Sequence, residues 1–91
     1  MTHELKSWPQ FFEFMEAGDK TFEVRRNDRQ FSRGDVLHLR EWVPADGAHS
    51  AVGEYTGREM RFKVTYLMRG HEENRIFGLE AGYVIMGVKR L

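Results

Sequence analysis

Ninety-one residues suffice for one domain with a single core, and at 41% apolar and 13% aromatic the chain is too hydrophobic to be disordered. It has no cysteine, which excludes disulfides and thiolate metal sites, and its 14 basic residues balance 14 acidic ones, unlike a protein that coats nucleic acid without specificity. There is no run of about 18 apolar residues and no basic-then-apolar leader, so no membrane span or signal peptide is expected and the cytoplasm is the expected compartment.

His3-Glu4-Leu5-Lys6 alternates polar and apolar residues as a short first strand would. Ser7-Trp8-Pro9-Gln10 then reads as a helix start: Ser7 as cap, Pro9 in the first turn, Gln10 three residues after Ser7 as in a capping box. Trp8, Phe11, Phe12 and Met15 fall on one helical face, which predicts a helix docked through all four. Gly18 is placed to end it in a left-handed cap.

The period then drops from 3.6 to 2. In the strand Thr21–Arg25, Phe22 and Val24 face one way and Thr21, Glu23 and Arg25 the other. Turns are expected at Asn27-Asp28-Arg29 and at Arg33-Gly34-Asp35. Val36–Val43 forms a strand with Leu37, Leu39 and Val43 on one face and His38, Arg40 and Trp42 on the other, broken by Pro44-Ala45-Asp46-Gly47. Residues 44–57 read as a long hairpin loop. In the strand Arg58–Met68, Met60, Phe62, Val64, Tyr66 and Met68 alternate with Arg61, Lys63, Thr65 and Leu67. A polar loop, Arg69–Arg75, and a last strand, Tyr83–Lys89, complete the chain. The expected fold is α+β but mainly β: one domain over residues 1–91, a small, partly closed barrel of about five strands with hairpin-like connections and one N-terminal helix packed against it.

The stretch Gly18–Arg25 is the best candidate site. Lys20 lies at the seam between helix end and strand start, and Arg25 offers a planar fork of donors suited to phosphate or a base edge. Glu23 shares a strand face with Arg25 and can orient it or accept from an amino group. The plainer alternative is an exposed Glu23–Arg25 pair with Lys20 solvated. Residues 20–33 carry Lys20, Arg25, Arg26, Arg29 and Arg33 against Glu23 and Asp28, so a local basic face is expected, with Arg61 adding to it. Trp42 reads either as a stacking platform for a base or as filler at the barrel end. Tyr83 reads as filler, and Trp8 as an anchor of helix to barrel. His3, His38, His49 and His71 show no metal-ligand spacing, Ser7, Ser32 and Ser50 no nucleophile elbow, and Gly53–Gly57 no following Lys-Ser/Thr pair. No metal and no cofactor is expected.

Gly18-x-Lys20-x-x-Glu23-x-Arg25 resembles the G-x-K-x-x-E-x-R signature of the ASCH domain, a member of the PUA-like barrel superfold. Gly34-Asp35-Val36-Leu37, Leu39-Arg40-Glu41-Trp42, Phe77-Gly78-Leu79 and Gly82-Tyr83-Val84-Ile85-Met86 are similar to a small ASCH-like subfamily of unknown function in bacteria and phages, from about His3 to Val88. The resemblance implies an RNA-binding or nucleotide-binding module that uses a basic cleft between helix and barrel, through Lys20, Glu23, Arg25, Arg26, Trp42 and Arg61. Some similar small members are amidohydrolases of acetylated cytidine that use Lys, Thr and Glu. Lys20 matches their lysine, Glu23 stands where they carry threonine, and Glu80-Ala81-Gly82-Tyr83 resembles the context of their later glutamate with a one-residue shift. That alternative makes Lys20 and Glu23, with Glu80, the catalytic set. A third reading is a phage or host accessory protein whose partner is another protein. The binding module, not an enzyme, is the leading expectation, with RNA or a nucleotide-like molecule as partner and no membrane or metal.

Overall fold

Alternating side chains build five strands, β1 (Thr2–Ser7), β2 (Phe22–Arg26), β3 (Val36–Val43), β4 (Glu54–Arg69) and β5 (Tyr83–Arg90), with one helix, α1 (Pro9–Ala17), between the first two. These come from a computed structural model that describes residues 1–47, 52–70 and 78–91. His49, Ser50, His71, Phe77 and most of the expected 69–75 loop lie outside the described residues. The sheet order is β1-β3-β4-β5-β2, so β1 and β2 are its two edges. The sheet nevertheless curls until those edges approach, because the Arg25 guanidinium on β2 donates to the Lys6 carbonyl on β1 at 2.9 Å. The result is a mainly β half-barrel with an open seam. Among the described residues no helix is long and apolar enough to cross a membrane.

Hairpin-like pairing holds for β3 with β4 and β4 with β5, both antiparallel. It fails at the N-terminus, where β1 pairs parallel with β3. Parallel neighbours need a long crossover, and here α1 and β2 lie within it. β2 in turn crosses to pair antiparallel with β5.

The core gathers Leu5, Leu37, Leu39, Met60, Phe62, Val64, Val84 and Met86 from the inner strand faces. Only Phe12 and Met15 of the four expected helix residues join it; Trp8 and Phe11 stay 46% and 47% exposed. Phe31 is fully buried although it lies in a loop, where no periodicity marks it. Its backbone N–H donates to Asn27 Oδ1, which folds the loop inward.

A bulge corrects the expected faces of β4. Between Val64 and Tyr66, where β4 advances two residues against one on β5, Tyr66 turns outward and Leu67 packs against the core in its place. An extra residue on one strand shifts every later side chain to the opposite face. In β3 the alternation runs on unshifted, so Glu41 follows Leu37 and Leu39 inward, while Val43, at the strand's end, is exposed. β4 also begins at Glu54, so the expected 44–57 loop ends earlier than its glycines suggest.

At the closed end, the buried Asp35 carboxylate lies 2.7 Å from His3 Nε2 and accepts from the Ser32 N–H at 3.0 Å and the Met1 amino group at 3.2 Å. Burial pushes its pKa up, but those three donors outweigh burial and hold the carboxyl below the usual aspartate range. A depressed folded pKa adds stability that is present above the unfolded value of about 3.9 and is lost as pH falls through the folded one. Urea unfolding at pH 5 and pH 3 should therefore show a shallower acid loss for Asp35→Asn than for the wild type. The substitution itself should cost about 1–3 kcal/mol at pH 7.

Candidate functional site

Gly18 closes α1 in the left-handed region at φ 84°, where a side chain would be strained. Its N–H donates to the Met15 carbonyl, and the next two, of Asp19 and Lys20, donate to Phe14. This cap fixes Lys20 at the mouth of β2. From there Lys20 Nζ donates to the Phe22 carbonyl at 2.8 Å and to Glu23 Oε1 at 3.0 Å, with Met15 Sδ at 3.9 Å. Arg25 Nε donates to Glu23 Oε2 at 2.8 Å. Each carboxylate oxygen thus holds one cation.

β2 is turned opposite to the usual sense. Glu23, paired across the ladder with the core residue Met86, is 3% exposed, while Phe22 and Val24 face solvent. The exposed ion pair of the plainer alternative is therefore absent. Taking a carboxylate out of water is costly unless it is paired and hydrogen-bonded, and Lys20 and Arg25 supply both conditions. Arg25 also spans to β1, so the clamp sits where the barrel is open.

Above the clamp lies a hollow of about 380 Å³ lined by Lys6, Ser7, Trp8, Phe11, Lys20, Glu23, Val24 and Arg25. Trp8 and Phe11 stack at 6.2 Å between ring centroids and form its aromatic wall. The expected anchor role of Trp8 is thus corrected: it precedes the helix with extended backbone, φ −68° and ψ 151°, so its side chain leaves the helical face that carries Phe12 into the core and stays half exposed. Ser7 is corrected too. The helix N-cap is Trp8, with no side-chain cap, and Ser7 ends β1 as a buried residue whose hydroxyl is without a hydrogen-bond partner. The signal for Ser7 lay in its place in the β1 alternation, which competed with its resemblance to a cap.

Of the other expected site residues, Arg26 lies beside the Tyr83 ring at 5.8 Å and is raised in pKa by a hydrogen bond to that phenol. Trp42 does not line the hollow; it packs edge-on against Tyr55, carries Lys6 Nζ at 4.0 Å from its ring, and closes over Gly53, where any Cβ would strike the indole. Arg61 lines a separate hollow with His38 and Arg90, Arg33 lines another, and Glu80 is exposed and lines neither the clamp nor its hollow. Lys20, Glu23 and Arg25 are brought together; Trp42, Arg61 and Glu80 are not. Among the described residues no group of three or more His, Asp or Glu side chains could hold a metal ion.

Fold and site together define a small, mainly β half-barrel with a buried carboxylate clamp at its seam. Residues 2–88 match the Domain of unknown function (DUF3850), and the chain belongs to that family. It is 36% identical over 63 residues to the "Uncharacterized 12.9 kDa protein in GpA 3'region" of Escherichia phage P2. That stretch covers 69% of this chain and 50% of the phage protein, so the chain spans about half the length of that relative.

Proposed function

We propose that this is a PUA-like half-barrel of the ASCH type that binds a nucleotide-like ligand, free or within RNA, in the hollow between α1 and the β1–β2 seam. The observation that carries the reading is the buried Glu23 clamp, which holds Lys20 and Arg25 at the mouth of a hollow walled by half-exposed Trp8 and Phe11. An apolar residue at position 23 would extend the core beside Met86 at no desolvation cost, so a charged group there suits a recognition role. Aromatic faces stack on any base, and a lysine and an arginine suit a phosphate or base edge.

Binding fits the geometry better than amide hydrolysis. Lys20 Nζ is surrounded by three acceptors, the Phe22 carbonyl, Glu23 Oε1 and Met15 Sδ, which engage N–H donors and offer a substrate no lone pair. Titration calorimetry with cytidine and uridine 5′-monophosphates tests the reading. Replacing both Lys20 and Arg25 by alanine should weaken binding about tenfold or more, since it removes a charge-assisted hydrogen bond from Arg25, about 1.5–3 kcal/mol, together with the Lys20 charge beside it. Equal affinity in the double variant would remove the clamp from recognition.

A further inference from the structure

The clamp hollow does not end at Arg25. A second hollow, of about 550 Å³, follows the same seam and is lined by Glu4, Leu5, Arg26, Asp28, Arg29, Phe31 and Tyr55 together with Lys6 and Arg25. Lys6 and Arg25 therefore belong to both, one from each edge strand, and stand at the junction. Along β1 the lining shifts from Ser7 to Glu4, roughly 10 Å at about 3.3 Å per residue. An extended dinucleotide spans such a step.

The second hollow has the chemistry of a second nucleotide position. Tyr55 is 40% exposed and held by Trp42 edge-on at 4.7 Å and by the Arg40 guanidinium at 3.7 Å, so its ring is a fixed shelf. Glu4, a carboxylate of this hollow, is already paired with Arg40 at 2.6 Å. Arg29 meets Asp28 only at 4.0 Å, with both side chains about half exposed, and is free to turn toward a guest. The two hollows together present Lys6, Lys20, Arg25, Arg26 and Arg29 against Glu4, Glu23 and Asp28, a basic strip on a protein of zero net charge.

We propose that the two hollows form one groove for a single-stranded polynucleotide of at least two nucleotides, with the linking phosphate between Lys6 and Arg25, the first base against Trp8 and Phe11, and the second on Tyr55. This rests on the nucleotide reading of the clamp hollow and names its ligand class. Stacking on exposed rings tolerates any base, and the backbone follows the cations.

The test is fluorescence anisotropy competition with uridine 5′-monophosphate and with oligouridylates of two, three and six nucleotides, in ribo and deoxy series, at fixed salt. Affinity should rise about tenfold or more from one nucleotide to two or three, and then level off. The Arg29→Ala/Tyr55→Leu variant should lose that gain and keep the mononucleotide affinity. Both positions are exposed enough for the fold to survive, which circular dichroism verifies, and Arg29→Glu alone should give the same loss. Equal affinity for one and six nucleotides, with both variants silent, overturns the groove and leaves the clamp hollow as a mononucleotide site. No binding at any length overturns both readings, and tighter binding of a duplex than of its single strands overturns the single-stranded assignment.

Discussion

Substituting Glu23 with glutamine is expected to lower nucleotide affinity at least tenfold and to cost about 1–3 kcal/mol of folding stability. Glutamine keeps the volume but has one acceptor oxygen where the carboxylate has two, and its amide NH₂ must face either Lys20 or Arg25, donor against donor. Breaking a fully buried pair costs about 3–5 kcal/mol, but the Lys20 and Arg25 side chains are 20% and 26% exposed and can turn partly to water. The lower range therefore applies. Turning away also releases both cations from the hollow, so thermal unfolding and calorimetry should move together. A variant as stable and as avid as the wild type would show that Glu23 neither holds the seam nor orients the cations.

Phe12→Ala is expected to be the most destabilising single truncation, about 3–5 kcal/mol. Phe12 is fully buried, docks α1 on the sheet, and carries the Arg58 guanidinium 5.0 Å from its ring. Arg58 in turn bridges Glu16 on α1 at 2.5 Å and the buried Glu41 on β3 at 3.5 Å, while Thr56 donates to Glu41 at 2.7 Å. Removing the ring thus loosens both the apolar and the ionic attachment of the helix. Total stability of a domain this size is about 5–15 kcal/mol, so the loss is a large share. Phe11→Ala, one position earlier and half exposed, should cost about 1 kcal/mol yet weaken nucleotide binding, because its ring walls the hollow. Urea denaturation of the two variants side by side separates docking from recognition; similar stability losses would contradict the division of α1 into a core face and a ligand face.

Much of this architecture is legible in the chain. The cap glycine, the lysine two residues on and the alternating Glu23 and Arg25 converge because cap geometry and strand period leave them little choice. Which side of β2 faces inward is a different matter. Alternation defines two faces but not their orientation, and the rule that apolar residues turn inward fails on this edge strand, where Glu23 is inside and Phe22 and Val24 are outside. The bulge after Val64 is equally hidden, since Tyr66 and Leu67 are both apolar and either could fill the core. Phe31 gives no periodic signal because a side-chain acceptor on Asn27, not a repeating backbone, brings it inward. The hydroxyl of Ser7 suits both a helix cap and a strand end, and only the parallel pairing with Glu41 on β3 decides between them.

Chemical-shift mapping with uridine 5′-monophosphate on ¹⁵N-labelled protein addresses the clamp most directly. Saturable shifts should concentrate at the amides of residues 6–8, 11 and 20–25 and the side-chain N–H groups of Arg25 and Trp8, and should shrink in Glu23→Gln. Saturable shifts confined to the face of β3 and β4 around His38 and Arg61, with residues 20–25 unmoved, would contradict it.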